Sequence, residues 1–185
     1  MTNQPATPAA LVRPLLHVRQ VRDFTDQAVD SAALSAVADA ARWSGSAGNR
    51  QPWRFVVVRR PETLRRLADS NLPSTHALTT ATAALAIAEV QEQGAAVSIA
   101  FDEGRAAERA LIAASLLGLG AAIVWIAPDA RPAVHAVLGV PDDRFVRTIV
   151  AIGHPTAEAR RPKAARGTAR LPRRETVFRE QFGRR

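Results

Sequence analysis

The sequence contains no cysteine and no tyrosine, and these two absences limit the chemistry that its side chains can supply. Without cysteine there are no disulfides, no thiolate metal ligands and no cysteine nucleophile. Without tyrosine there is no phenol to act as an acid. No apolar run is long enough to span a bilayer, and the first residues lack the basic start and apolar run of an export signal. We therefore expect a cytoplasmic protein without a membrane segment.

Motifs for catalysis by side chains are also scarce. None of the four histidines stands in a metal-ligand spacing such as HExxH, no paired-carboxylate pattern stands out, and there is no nucleophile elbow or phosphate-binding glycine loop. We predict no metal site and no certain catalytic residue. Such a chain suits chemistry carried by a bound cofactor, because the protein then supplies only binding, orientation and charge.

Positive charge is concentrated at the C-terminal end. Residues 156–185 carry ten Lys and Arg against three acidic residues, which accounts for seven of the eight net positive charges. A basic tail could bind nucleic acid by neutralising phosphates. It could also be a solvated arm with one or two arginines committed to a small phosphate. The aromatic residues are not interleaved with the basic ones as a stacking platform, so nucleic acid is the less favoured partner.

The length of 185 residues suits one domain with a substantial core. We predict a flexible N-terminus over residues 1–9 and a single domain over residues 10–185, in which residues 156–185 form an extended arm. Hydrophobic periodicity predicts several helices and four short strands, which indicates an α+β or α/β fold. The predicted strands are Arg54–Val58, 81–90, 121–127 and 144–154, and the alanine-rich run 81–90 could instead be helical.

The predicted helix Asp102–Leu117 has small and apolar residues nearly all round its second half. Such a helix is buried on most sides, either inside one domain or against a second subunit. We also expect a helix from residue 10 to 18 and another that begins at Asp30 or Ser31 and runs to about Trp43.

Two polar clusters could bind a ligand. Arg19 and Arg22 stand three residues apart and could clamp a phosphate or an anionic ring edge. They could equally be the solvated basic end of a helix, which the helix dipole favours. The loop that contains Ser46 and Asn49 joins an apolar helix to a buried strand, and it could be a ligand-binding loop or a turn closed by its own side chains.

These residues, taken in order along the chain, resemble the FMN-dependent nitroreductase family. The resemblance covers residues 17 to about 180, and although each motif is weak alone, the ordered set is specific. It is carried by R-x-[IV]-R-x-F at Arg19–Phe24, A-R-W-x-x-S-x-x-N-x-Q-P-W at Ala41–Trp53, the run from Asp102 to Gly120, L-G-V-P at Leu138–Pro141, "AIGHP" at Ala151–Pro155 and "ARLP" at Ala169–Pro172.

The resemblance implies an α+β fold with a central, mostly antiparallel sheet flanked by helices, in an intertwined homodimer with a swapped C-terminal arm. It implies an NAD(P)H oxidoreductase in which hydride passes to FMN and then to a nitroaromatic, a quinone or a similar small acceptor. Other tasks of the same fold, such as dehydrogenase, dehalogenase or flavin reductase, stay open, as does a non-catalytic protein that uses its basic arm.

The resemblance also implies roles for particular residues. Arg19, Gln20 and Arg22 would lie along the phosphate, ribityl chain and pyrimidine edge of FMN, with the Arg22 charge near flavin N1 and O2. The other predicted cofactor-binding residues are Ser46, Asn49 and Gln51 in the loop, Ile123, Val124 and Trp125 through their backbone, and Arg170 in the arm. The loop residues would reach FMN from the partner subunit. The chain is short between Asn71 and Phe101, which implies a reduced cover over the substrate.

Overall fold

Four strands form one antiparallel sheet in the computed structural model, which describes residues 7–92, 94–161 and 170–184. The strands are β1 (Trp53–Val58), β2 (Ala83–Val90), β3 (Gly120–Trp125) and β4 (Arg144–Gly153). Their order is β1-β2-β4-β3, so β1 and β3 are the two edges of the sheet. The predicted antiparallel sheet is therefore confirmed.

Strand β2 lies in the centre and is buried on both faces. Ala83, Leu85 and Ile87 face one hydrophobic layer, while the alternating residues 84, 86 and 88 face the other. This period of two is that of a strand, so the helical alternative for residues 81–90 was wrong. The small alanines allow helices to approach both faces of the sheet closely.

Helices cover both faces of the sheet. They are α1 (Pro8–Leu16), α2 (Ser31–Arg42), α3 (Pro61–Asp69), α4 (Ala96–Leu116), α5 (Arg131–Leu138) and α6 (Arg173–Thr176). Helices α2 and α4 pack on one face, and α3 and α5 pack on the other. No helix within the described ranges is long and apolar enough to cross a bilayer.

Two helix starts can be compared with the sequence. The carboxylate of Asp30 caps α2 and accepts hydrogen bonds from the amides of Ala32 (2.7 Å) and Ala33 (3.1 Å), as predicted. Helix α4 begins at Ala96, earlier than the predicted start at Asp102, and Ile99 in the added turns is buried. Only residues 91–95 connect β2 to α4.

The structure describes only part of the N-terminal segment and of the C-terminal arm. The predicted flexible N-terminus covered residues 1–9, of which residues 1–6 lie outside the described part, while Pro8 and Ala9 already belong to α1. In the predicted arm, residues 162–169 and Arg185 lie outside the described part.

Residues 19–25 run along the outer edge of β3 and continue towards the residues that follow β4. The amide of Val21 donates to the carbonyl of Ala121 (2.8 Å), and Phe24 forms an antiparallel bridge with Pro155. Gly120 makes this close approach possible, because a Cβ on it would lie 2.9 Å from the Cβ of Val21 and 3.0 Å from the Cγ of Pro155.

We expect Gly120→Ala to destabilise the protein by about 1–3 kcal/mol, since an overpacked contact must displace its neighbours. Urea denaturation measures the change in the free energy of unfolding. The matched control is Gly104→Ala in α4, where a new Cβ meets no atom within 4 Å of the same chain, so that helix propensity should stabilise the protein slightly. Equal stabilities of the two variants would contradict the steric explanation.

Candidate functional site

Gln20, Arg22 and Ile123 form one hydrogen-bonded group at the outer edge of β3. The side-chain oxygen of Gln20 accepts from the backbone amide of Ile123 (3.2 Å) and from the guanidinium of Arg22 (3.1 Å). Gln20 also forms a parallel bridge with Ala121. The structure therefore brings three of the predicted cofactor-binding residues together, with a cationic side chain beside the outer edge of β3.

Arg19 lies next to this group but points to the start of the C-terminal arm. Its guanidinium donates to the carbonyl oxygens of Arg161 and Ala159, at 2.7 Å each. Arg19 therefore ties the arm to the first segment of the domain. A guanidinium has five N–H donors, so three are not used by these two bonds to described residues. Its predicted role at the phosphate stays a prediction.

The three predicted residues of β3 differ in orientation. Val124 is buried in the core, whereas the side chain of Ile123 is half-buried and that of Trp125 is 52% exposed. In an antiparallel edge strand, alternate residues direct their backbone groups away from the sheet. Ala121 and Ile123 do so, as their bonds to residues 20–21 show, and the carbonyl of Trp125 accepts from the side chain of Asn71 at 3.1 Å.

The loop between α2 and β1 holds Ser46, Asn49 and Gln51 close together. The hydroxyl oxygen of Ser46 accepts from the amide of Gln51 (2.9 Å), and the side-chain amide of Gln51 donates to the side-chain oxygen of Asn49 (3.2 Å). Ser46 thus closes the loop, as the turn interpretation predicted. Asn49 and Gln51 are exposed, and both have positive φ angles, 55° and 48°. A positive φ angle in a residue other than glycine costs free energy, and it is common where a loop holds a ligand.

The two groups of predicted residues lie at opposite edges of the sheet. The loop leads into β1, while residues 19–22 flank β3, and β2 and β4 stand between these strands. Three strand spacings separate the edges by about 14 Å. One chain therefore brings together the members of each group but does not join the two groups. Arg170 lies at the start of the described segment 170–184.

A buried acidic cluster that was not predicted from the sequence lies between the sheet and α4. Asp102 is buried, and its carboxylate accepts from the amide of Ala47 at 2.9 Å, so that α4 holds the loop in place. Glu103 is buried and forms an ion pair with Arg147 of β4, whose Nε lies 2.8 Å from its carboxylate. Glu89 of β2 is fully buried.

The environment of Glu89 strongly favours its neutral form. Burial, and then the negative charge of Glu103, raise the pKa of Glu89 from 4.5 to about 8. A signal for this cluster existed in the sequence. Glu89 interrupts an apolar strand, and Asp102 and Glu103 precede Ala106 and Ala110 on the helix face that packs on the sheet.

A cavity of about 400 Å³ opens beside the loop. Its wall includes Gln51, Arg54 and Arg144 together with Asp102 and Asp143, so groups of both charge signs face it. Among the described residues, no group of three or more histidine or acidic side chains is arranged to hold a metal ion.

Comparisons with known proteins agree with this fold. Residues 17–90 match the model of the Nitroreductase family. A protein of Archaeoglobus fulgidus, provisionally named an NADH dehydrogenase/NAD(P)H nitroreductase, is 28% identical over 144 residues, which cover 76% of this chain and 82% of that protein. An NADH dehydrogenase of Thermus thermophilus is 27% identical over 174 residues, which cover 76% of this chain and 84% of that protein.

Solved structures share the fold at low sequence identity. An FMN-dependent nitroreductase of Clostridium difficile superposes with a TM-score of 0.79 at 24% identity, over 91% of this chain and 98% of its own. The family match includes both Arg19–Arg22 and the loop Ser46–Gln51. The match of residues 17–90 and the names of the similar proteins confirm the resemblance to the nitroreductase family found in the sequence, and the solved structures confirm the fold.

Proposed function

We propose that the protein is an FMN-dependent NAD(P)H oxidoreductase of the cytoplasm that reduces nitroaromatics, quinones or similar small acceptors. The observation that supports this proposal most directly is the hydrogen-bonded group of Gln20, Arg22 and Ile123 at the outer edge of β3. It offers an arginine cation and an amide side chain beside an outward-facing strand edge. A flavin requires these groups, since its pyrimidine edge has several acceptors and its phosphate carries negative charge.

The residues present fit the cofactor chemically. Arg22, exposed beside Gln20, would place positive charge near flavin N1 and O2, where negative charge gathers on reduction. Arg19 would use its remaining donors, and Arg170 its guanidinium, at the phosphate. The backbone of Ile123, Val124 and Trp125 would border the ring. When bound, FMN supplies the hydride chemistry between NAD(P)H and the acceptor.

The loop residues would complete the site from a second subunit. Ser46, Asn49 and Gln51 lie at the opposite edge of the sheet from Arg22, so a homodimer is the arrangement that lets both groups reach one flavin. The outward face of α4 supports this proposal, because Phe101 is 70% and Leu116 66% exposed. Apolar side chains this exposed on one helix face are typical of a surface that a partner covers.

The direct test is the spectrum of the purified protein after reconstitution with FMN. We expect bound flavin absorbance that is bleached by NADPH or NADH and restored by a quinone or nitroaromatic acceptor. A colourless protein that cannot be reconstituted, but binds DNA with an affinity that falls steeply with salt, would favour the basic arm as the functional part instead.

We expect Arg22→Ala to weaken FMN binding about tenfold to a hundredfold. The reason is that one hydrogen bond to a charged group contributes about 1.5–3 kcal/mol. Fluorescence titration with FMN measures the dissociation constant, and the loss should be larger for reduced flavin. Arg66→Ala removes the same charge from the exposed side of α3 and is the control. If Arg22→Ala and Arg66→Ala behave alike, the assignment of Arg22 is wrong.

A further inference from the structure

The side chain of Glu89 has no explanation in the fold or in the proposed reaction. It is 0% exposed, and both of its oxygens lack a hydrogen-bond partner among the described residues. The Oε1 atom of Glu103, which is 2% exposed, is also without a partner in the described part of the chain. A buried ionised carboxylate without a partner is strongly unfavourable.

The charged groups that act on Glu89 come from α4 and β4, two of the elements that pack against β2. They are Glu103 and Asp102 on α4, and Arg147 and Arg144 on β4. Two of these four charged side chains already form hydrogen bonds with backbone groups. Asp102 accepts from the amide of Ala47, and the guanidinium of Arg144 donates to the carbonyls of Pro52 and Ala88. Glu103 and Arg147 therefore remain as the pair that decides the state of Glu89.

Arg147 connects this pair to the β3 edge. Its guanidinium carbon lies 5.7 Å from the centre of the Trp125 ring and 5.5 Å from that of Phe145, within the range of cation–π attraction. The same guanidinium forms the ion pair with Glu103. Arg147 thus lies against Trp125 while it is paired with one carboxylate, that of Glu103.

We propose that Glu89 is a positioning residue, which carries a proton and thereby leaves Arg147 paired with Glu103 and stacked against Trp125. The inference rests on the proposed function, in which Trp125 borders the flavin. When Glu89 loses its proton, Arg147 is drawn towards two carboxylates and moves relative to the Trp125 ring. The edge of the cofactor site then changes through Arg147, although Glu89 itself touches neither flavin nor substrate.

The pH range follows from the raised pKa of Glu89. Because the folded protein favours the protonated form, this contribution to stability is complete below pH 4.5 and is lost as the pH rises through about 8. Above that range the ionised form dominates. Glu89→Gln keeps the shape of the protonated side chain at all pH values, so it should fold and should be more stable than the wild type at pH 9.5.

The test is the emission of Trp125 in the protein without FMN between pH 6 and pH 9.5, obtained by subtracting the spectrum of the Trp125→Phe variant. We expect a transition with a midpoint near 8 in the wild type and none in Glu89→Gln, which should match the wild type at pH 6.5. Glu108→Gln removes an exposed carboxylate of α4 and should keep the transition. A flat wild-type profile, or a transition that persists in Glu89→Gln, would overturn the inference.

FMN titration at the two ends of this range separates the inference from the proposed function. We expect FMN to bind severalfold more weakly at pH 9.5 than at pH 6.5 in the wild type and with equal affinity in Glu89→Gln. Failure of the wild type to bind FMN at any pH would refute the proposed function, while the Trp125 transition would still decide the protonation of Glu89. A transition with an unchanged FMN affinity would overturn the positioning role.

Discussion

Replacing Arg147 by methionine is expected to destabilise the protein by about 3–5 kcal/mol, the usual cost of removing one partner of a buried ion pair. Arg147 and Glu103 are 15% and 3% exposed in their side chains, and Glu89 lies beside them. Without Arg147, the buried carboxylate of Glu103 would lose its ion-pair partner beside a second buried carboxyl group, that of Glu89. The methionine retains most of the apolar stem, so lost packing contributes little.

Urea denaturation at a fixed protein concentration measures this effect, since stability depends on concentration if the protein is a dimer. The matched control is Arg42→Met, which removes an ion pair with Asp39 whose side chains are 58% and 64% exposed. An exposed pair contributes only about 0–1 kcal/mol, because water screens its charges. Comparable losses in the two variants would show that burial does not govern the Arg147 pair.

The double variant Arg147→Met with Glu103→Gln also tests whether an unpaired buried carboxylate causes the loss of stability. Removing both charges leaves no unpaired carboxylate at position 103, so the double variant should be more stable than Arg147→Met alone. With the single variant Glu103→Gln added, these variants form a double-mutant cycle, and its coupling energy belongs to the pair itself. If the second substitution adds a further loss, packing and not charge explains the instability of Arg147→Met.

The sequence predicted the secondary structure well because the signals were local. Asp30 is a strong N-cap, and apolar residues at intervals of three and four fixed the buried face of α2. The start of α4 was placed too late, since Ala96–Phe101 carry one buried apolar residue, Ile99, and no capping side chain. The order of strands could not be read from local patterns, because β2 and β4 pair across more than fifty residues of chain.

The candidate site was predictable only as two separate polar clusters. Nothing in a single sequence places Gln20 beside Ile123, because the contact depends on the close approach of Val21 to Gly120. The cluster of Glu89 and Glu103 was missed for a related reason. Each residue is an isolated acid in an apolar segment, and only the packing of α4 on β2 brings the two carboxyl groups together.

Mixing two inactive variants should restore FMN binding if the site combines two subunits. Arg22→Glu reverses the charge on the β3 side, and Asn49→Asp puts a negative charge in the loop while tolerating its positive φ. We expect each variant alone to bind little FMN. In a mixed dimer one site carries both substitutions and the other carries neither, so random association should leave about a quarter of all sites intact.

Denaturation and joint refolding of the two variants, followed by FMN titration, measures the recovered fraction. Refolding each variant alone is the control, and isolating the mixed dimer with two affinity tags should raise the intact fraction to about a half. If Arg22 and Asn49 of the same chain served one flavin, no mixture could contain an intact site. Absence of recovery from a mixture that does form dimers would therefore refute the proposal that Arg22 and Asn49, which lie at opposite edges of one sheet, meet across two chains.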